Sequence, residues 1–256
     1  MSDKELTRAE LRQLAKDAAP EIKSLERRLV LKKGLGLGAF TLVTGTGLSG
    51  PTTLESILDR MSKFNDWTQG VLFNPNRLAP TFSEADITKP FPFNAFYNEG
   101  QSPVVDRATY KLELGGMISD RKPWTLDQLA ALPQQSQITR HVCVEGWSAI
   151  GKWGGVPLRS FLERVGGDLS ARYVGFKCAD NYYASIDMAT ALHPQTIIAL
   201  TYADKELPVQ YGFPMKIRIP TKLGFKNPKH IMSMFVTNDY PGGYWEDQGY
   251  NWFSGM

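Results

Sequence analysis

Thr139-Arg140-His141-Val142-Cys143-Val144-Glu145-Gly146-Trp147-Ser148-Ala149-Ile150-Gly151-Lys152-Trp153 holds one of the two cysteines in a chain of 256 residues. Cys143 stands among a guanidinium, an imidazole, a carboxylate and two indoles. A lone buried cysteine often serves as a small apolar core residue. A thiolate that binds a metal or attacks a substrate needs positive charge and access nearby. Arg140, His141 and Lys152 could supply that charge, so residue types alone leave both readings open. Gln137 to Cys143 reads as a strand that brings Cys143 to the rim of a sheet. If the extended geometry continues, Cys143, Glu145 and Trp147 share one face.

The run Arg140-His141-x-Cys143-Val144-Glu145-Gly146-Trp147-Ser148 resembles the sulfite oxidase family of molybdenum enzymes, in particular its bacterial branch of periplasmic methionine sulfoxide reductase catalytic subunits. The resemblance implies that Cys143 binds molybdenum directly, with the other sulfur donors coming from molybdopterin; soft thiolates suit such a centre. Phe93-Asn94-Ala95-Phe96-Tyr97-Asn98 resembles the segment of that family that contacts the pterin, with Asn98 where a Glu is usual. Leu207-Pro208-Val209-Gln210-Tyr211-Gly212-Phe213-Pro214-Met215-Lys216 resembles a second contact stretch, with Tyr211 and Lys216 where Asn or His and then Arg are usual. Lys222-Leu223-Gly224-Phe225-Lys226-Asn227-Pro228-Lys229 resembles the loop around the pterin phosphate. The cofactor contacts so implied are Asn94, Tyr97, Asn98, Cys143, Cys178, Tyr211, Lys216, Asn227, Pro228 and Lys229. Arg140 and Glu145 join Cys143 as catalytic candidates.

The phosphate-loop reading also has independent support: a glycine that permits positive φ precedes lysines that can meet an anion. Two rivals come from the cysteines and histidines. Cys143 and Cys178 could pair as a disulfide in an exported protein, and a cysteine hydrolase would use Cys143 with His193 or His230. A zinc site is disfavoured because no Cys-x-x-Cys or His-Glu-x-x-His occurs. A metal-free fold relative acting as a binding module is the non-enzymatic alternative.

Leu25-Glu26-Arg27-Arg28-Leu29-Val30-Leu31-Lys32-Lys33 precedes an uncharged stretch from Gly34 to Gly50. Paired arginines before a mildly apolar segment match the twin-arginine export pattern, and six glycines in seventeen residues oppose a buried helix. Residues 1–50 are therefore expected to be a leader or retained anchor to the periplasm, and 51–256 one domain. Net charge is +3 and no basic stripe with interleaved aromatics occurs, so nothing points to nucleic acid. No haem or iron–sulfur spacing is present, so electrons would pass through a partner, for which the resemblance implies a membrane haem subunit. The substrate would be a small sulfite- or sulfoxide-like molecule.

A helix near Leu54–Phe64 and a long turn-rich segment to about Asn98 are expected, followed by alternating strands and short helices at Trp124–Leu132 and Val156–Val165. Strands outnumber helices, which predicts an α+β domain with mixed or mostly antiparallel sheets; the sulfite oxidase-type fold is of that kind. The aromatic run Tyr240 to Phe253 reads as a packed tail or as a wall of the substrate funnel.

Overall fold

The computed structural model describes residues 54–74 and 76–256, with side chains from Arg60 onward; the expected leader and its arginine pair lie outside the described residues. Helix α1 (Leu54–Leu72) runs eight residues beyond the Phe64 limit that periodicity suggested. No strand is assigned between it and β1 (Glu113–Gly116): the turn-rich composition predicts this to about Asn98, whereas the alternation over Ala108–Leu114 becomes strand only from Glu113 and runs on through Gly116. The other strands are β2 (Gln135–Val142), β3 (Ser148–Pro157), β4 (Tyr173–Cys178), β5 (Tyr183–Asp187), β6 (Ile197–Tyr202), β7 (Lys205–Glu206), β8 (Lys216–Arg218) and β9 (Ile231–Thr237).

They form two sheets. One has the order β1-β9-β4-β5, with β1 and β9 parallel and the other pairs antiparallel. The other has the order β2-β3-β6-β7, with β8 also pairing with β6, and is antiparallel throughout. This is the mixed, mostly antiparallel α+β arrangement that the alternation predicts. Strand β3 bulges at Gly154/Gly155. A side chain at Gly155 would collide with the backbone of Ile198 and Ala199, so glycine lets β3 and β6 approach there.

The helices α2 (Leu126–Ala130), α3 (Leu158–Arg164) and α4 (Met188–Ala191) are short. Thr125 caps α2 by accepting from the Gln128 N–H, as its place before the apolar run predicts. Phe161 and Leu162 of α3, Val174 and Phe176 of β4, Ile198 of β6 and Ile217 of β8 meet in the main core. A smaller cluster joins Phe91, Trp153, Ile197 and Leu207, with Tyr202 and Tyr211 packed on it. This second cluster braces the back of the β2–β3 hairpin whose tip carries Cys143.

Candidate functional site

Strand β2 ends at Val142 and β3 starts at Ser148, so the motif spans a hairpin tip. The Cys143 N–H donates to the Trp147 carbonyl, and the Gly146 N–H donates back to Cys143. Gly146 has φ +94°, a value glycine accepts freely. The chain therefore turns where continued extension was expected. Glu145 and Trp147 still converge on the thiol, but by the turn: Glu145 Oε2 accepts from Trp147 Nε1 at 3.0 Å and lies 3.7 Å from Cys143 Sγ. Asn94 Nδ2 donates to the same sulfur at 3.3 Å. Burial, opposed by a backbone hydrogen bond, leaves the thiol raised above its ordinary pKa, and the Glu145 carboxylate adds to the rise.

Around the sulfur lies a group of bases, Lys216 and Arg218 buried and Lys229 half-buried. Lys216 and Arg218 on β8 are 4 % and 0 % exposed. Lys216 Nζ sits 4.5 Å from the centre of the Trp153 ring, and Lys229 Nζ 4.6 Å from that of Phe93. Arg218 donates to Asn227 Oδ1, Thr139 Oγ1 and the Arg140 carbonyl. Among the described residues, none of the three has a carboxylate partner within ion-pair distance. Burial, aided by the neighbouring cations, lowers Lys216 strongly, and burial brings Lys229 down to about 8. His141 faces the same space with both ring nitrogens buried and unpaired. Burial, with Arg218, Lys216 and Lys229 beside it, holds that imidazole neutral.

The cavity wall in front of Cys143 includes Asn94, Glu145, Asp180, Asn227, Pro228 and Lys229, with Phe93, Phe96, Trp245 and Tyr250 as its apolar part. A smaller recess behind is lined by His141, Tyr211, Lys216 and Lys229 among others. The structure thus brings Asn94, Cys143, Glu145, Tyr211, Lys216, Asn227, Pro228 and Lys229 together. Tyr211 gives its hydroxyl to the Phe91 carbonyl, and Tyr97 gives its hydroxyl to Asp180 of the wall. Asn227 uses its side chain internally, accepting from Arg218 and the Ile219 N–H and donating to Leu223.

Several expectations need correction. Arg140 is exposed, its guanidinium over the Phe82 ring, because strand alternation turns it away from the His141 side. Asn98 is exposed and its N–H meets Gln101 Oε1 at the start of a 3-10 turn, away from the cavity wall. Cys178 lies in the main core and is absent from both walls; neither it nor Cys143 is in a disulfide. Lys222 and Lys226 turn inward, the first to the Phe253 carbonyl and Asp187, the second to Glu246. Gly224 does not have positive φ; a side chain there would strike the His141 ring, which explains the glycine. The cysteine-hydrolase reading fails on geometry: His193 and His230 bond the backbone carbonyls of Arg77 and Phe213, and the thiol pKa is raised.

Arg218 is the site residue that motif reading passed over, and His141, read there as a possible positive charge beside the thiol, is instead a buried neutral imidazole. Arg218 carries no local signal.

Buried cations without counter-charge are costly, and unpaired buried imidazole nitrogens are costly as well. Together they fit an anionic, hydrogen-bonding ligand beside a single soft sulfur donor. No cluster of three or more His, Cys, Asp or Glu occurs among the described residues. A metal held at Cys143 would therefore draw further donors from that ligand, as the dithiolene sulfurs of a pterin cofactor allow, while the cofactor's phosphate would meet the bases.

Known proteins agree with that chemistry. A protein of Azospira oryzae, provisionally named protein-methionine-sulfoxide reductase subunit YedZ1, is 58% identical over 96% of this chain and 94% of its own. The protein-methionine-sulfoxide reductase catalytic subunit MsrP of Ralstonia nicotianae is 30% identical over 65% of this chain and 59% of its own. In fold, the sulfane dehydrogenase SoxCD of Paracoccus pantotrophus superposes with a TM-score of 0.51 at 13% identity, covering 77% of this chain and 55% of that one. Residues 99–245 match the oxidoreductase molybdopterin binding domain, and the chain belongs to this family of sulfite oxidase-type molybdopterin oxidoreductases.

Proposed function

We propose that this chain is the catalytic subunit of an exported molybdenum enzyme that reduces methionine sulfoxide and draws electrons from a membrane haem subunit. The observation that carries the cofactor assignment is the group of bases without an ion-pair partner beside the Cys143 thiol, Lys216 and Arg218 buried and Lys229 half-buried. The names of the two relatives support the sulfoxide substrate and, through the word subunit, the partner. The Arg27-Arg28 pair supports export of a protein that folds around its cofactor before crossing the membrane.

Cys143 would ligate molybdenum, and Lys216, Lys229 and His141 would meet the anionic and hydrogen-bonding edges of molybdopterin. When bound, the cofactor supplies the two-electron couple that oxygen-atom transfer needs. Arg218 fixes the loop by holding Asn227, and Asn94 steadies the sulfur by its amide hydrogen bond. Phe93, Phe96, Trp245 and Tyr250 offer an apolar wall that suits a thioether side chain and limits water. Reduction of a sulfoxide takes up two electrons and two protons and releases a thioether and water. The Tyr97 hydroxyl, hydrogen-bonded to Asp180, keeps its proton at the edge of this space because burial and that carboxylate raise its pKa.

The purified protein should contain molybdenum and pterin and should reduce methionine sulfoxide with a reduced viologen dye. Cys143→Ser should lose turnover while keeping much of its pterin. Normal activity in that variant would remove Cys143 from the metal, and rapid sulfite oxidation without sulfoxide reduction would overturn the substrate. Lysines in place of Arg27 and Arg28 should strand loaded protein in the cytoplasm; unchanged periplasmic amounts would refute the export reading.

A further inference from the structure

Helix α1 is amphipathic the wrong way round for a helix that only covers its own domain. Its inward side is mostly polar: Asp66 Oδ1 accepts from the Phe253 N–H at 2.7 Å, and Gln69 Oε1 accepts from the Gly255 N–H at 3.1 Å. Gln69 Nε2 also reaches Asn251 Oδ1 at 3.3 Å. Its outward side carries Met61, Trp67, Val71 and Leu72, exposed by 47%, 63%, 64% and 76%. At about 100° per residue these four fall in one arc, opposite Ser62, Asp66, Gln69 and Phe73. A helix held to its domain by hydrogen bonds, with its apolar residues outward, has its apolar stripe placed for something else.

We infer that the outward face of α1 lies in the interface of a phospholipid bilayer. Two observations favour lipid as the occupant. The stripe has the composition of an interfacial helix: an indole with aliphatic and thioether side chains on one face, Lys63 and Asn65 exposed along its borders, and Arg60 within it, where a long stem can carry the guanidinium to the headgroups. The uncharged stretch Gly34–Gly50 ends four residues before Leu54, the first residue of α1. That stretch is marginal in length for a comfortable span. A following helix that lies in the interface would add to a weak anchor, as stable attachment generally takes two signals. No helix among the described residues is long and apolar enough to cross a membrane, so this contact would be a surface one.

The test uses the full chain with phospholipid vesicles. Vesicles with brominated acyl chains should quench part of the tryptophan emission, and the Trp67→Phe protein should lose that quenching while still sedimenting with vesicles. The double variant Trp67→Ser/Val71→Ser should partition about tenfold or more less well, from the lost transfer of two large apolar groups. Val104→Ser, at a residue 89% exposed elsewhere, should partition like the wild type. Because Trp67 and Val71 are solvent-facing, unchanged far-ultraviolet circular dichroism should accompany the loss. Quenching that persists in Trp67→Phe, or unaltered partition of the double variant, would overturn the inference. So would self-association that the double variant abolishes without any change in vesicle binding, since the stripe would then meet a second copy.

Discussion

Two sets of buried cations lie within a dozen residues of each other along the chain, and they are balanced differently. Lys222 and Lys226 meet Asp187 and Glu246, and Lys222 also reaches the Phe253 carbonyl. Lys216, Arg218 and Lys229 meet ring faces, amides and carbonyls, but no carboxylate. The first set ties the loop 222–226 to the carboxyl-terminal tail and closes its charge internally. The second leaves positive charge that a ligand must complete. A buried lysine can thus mean either framework, as with Lys226, or binding site, as with Lys216; the counter-charge decides.

The comparison is broken most severely by removing a counter-charge. Glu246→Ala leaves Lys226 buried and unpaired, which should cost about 3–5 kcal/mol. Denaturant unfolding should show a correspondingly lower midpoint, with or without cofactor. A change under about 1 kcal/mol would mean that Lys226 is not held charged by Glu246, and the balanced set would lose its meaning.

The unbalanced set should respond with the opposite sign in the cofactor-free protein. Lys216→Met and Lys229→Met remove a buried charge that lacks a partner, so unfolding of the apo form should be unaffected or harder. Each lost charge-assisted contact is worth about 1.5–3 kcal/mol to the ligand, so cofactor retention should fall by about ten- to a hundredfold. Full molybdenum and pterin content after long dialysis of Lys229→Met would place the anion elsewhere.

Titration tests the unbalanced set, although burial lowers Lys222 of the balanced set as well. A lysine in the unfolded chain titrates near pH 10.4, whereas burial brings Lys229 in the folded chain to about 8. Between those values the unfolded chain binds more protons, so apo stability should rise with pH on account of Lys229. Below about pH 8 the full cost of burying the charge is present. The slope cannot exceed one proton, about 1.4 kcal/mol per pH unit. Lys222, brought to about 7 chiefly by burial, adds to the rise in the same direction, so the informative quantity is the difference between wild type and Lys229→Met. A bound anion raises the folded pKa of Lys229, and the difference should shrink in the loaded protein. Identical profiles for the two apo proteins would contradict the placement of Lys229.

Much of this arrangement is legible in the sequence, for reasons that can be named. Alternation gives β2, β4, β6 and β9, and Thr125 and Pro157 mark the starts of helices. Strand β3 is hidden because its run of glycines and polar residues lacks a clear period, and β5 because it is only five residues long. Cys143 is legible through its neighbours. The direction of Lys222 and Lys226 is not, because a charge run that normally faces water here folds under a tail more than twenty residues downstream of Lys222, with Glu246 and Phe253 as its partners. The inverted face of α1 is equally hidden, since its period is that of any surface helix until the C-terminal residues show which side is inside.

Arg140 and Arg218 give the smallest and most discriminating test. Arg140 belongs to the motif, and its residue type suggests a role beside the thiol. Yet it stands next to His141 on β2, and the pleat puts adjacent residues on opposite faces. The structure has its guanidinium 5.2 Å from the centre of the Phe82 ring on the outer face, while its carbonyl accepts from buried Arg218 at 2.6 Å. A mutation deletes the side chain and leaves the carbonyl in place. Arg140→Ala should therefore cost no more than an exposed cation–π contact, about 0.5–1 kcal/mol, and should leave kcat and cofactor content at wild-type values. A tenfold fall in kcat with normal cofactor content would show that the guanidinium reaches the substrate, and that proximity in the motif had outweighed the pleat.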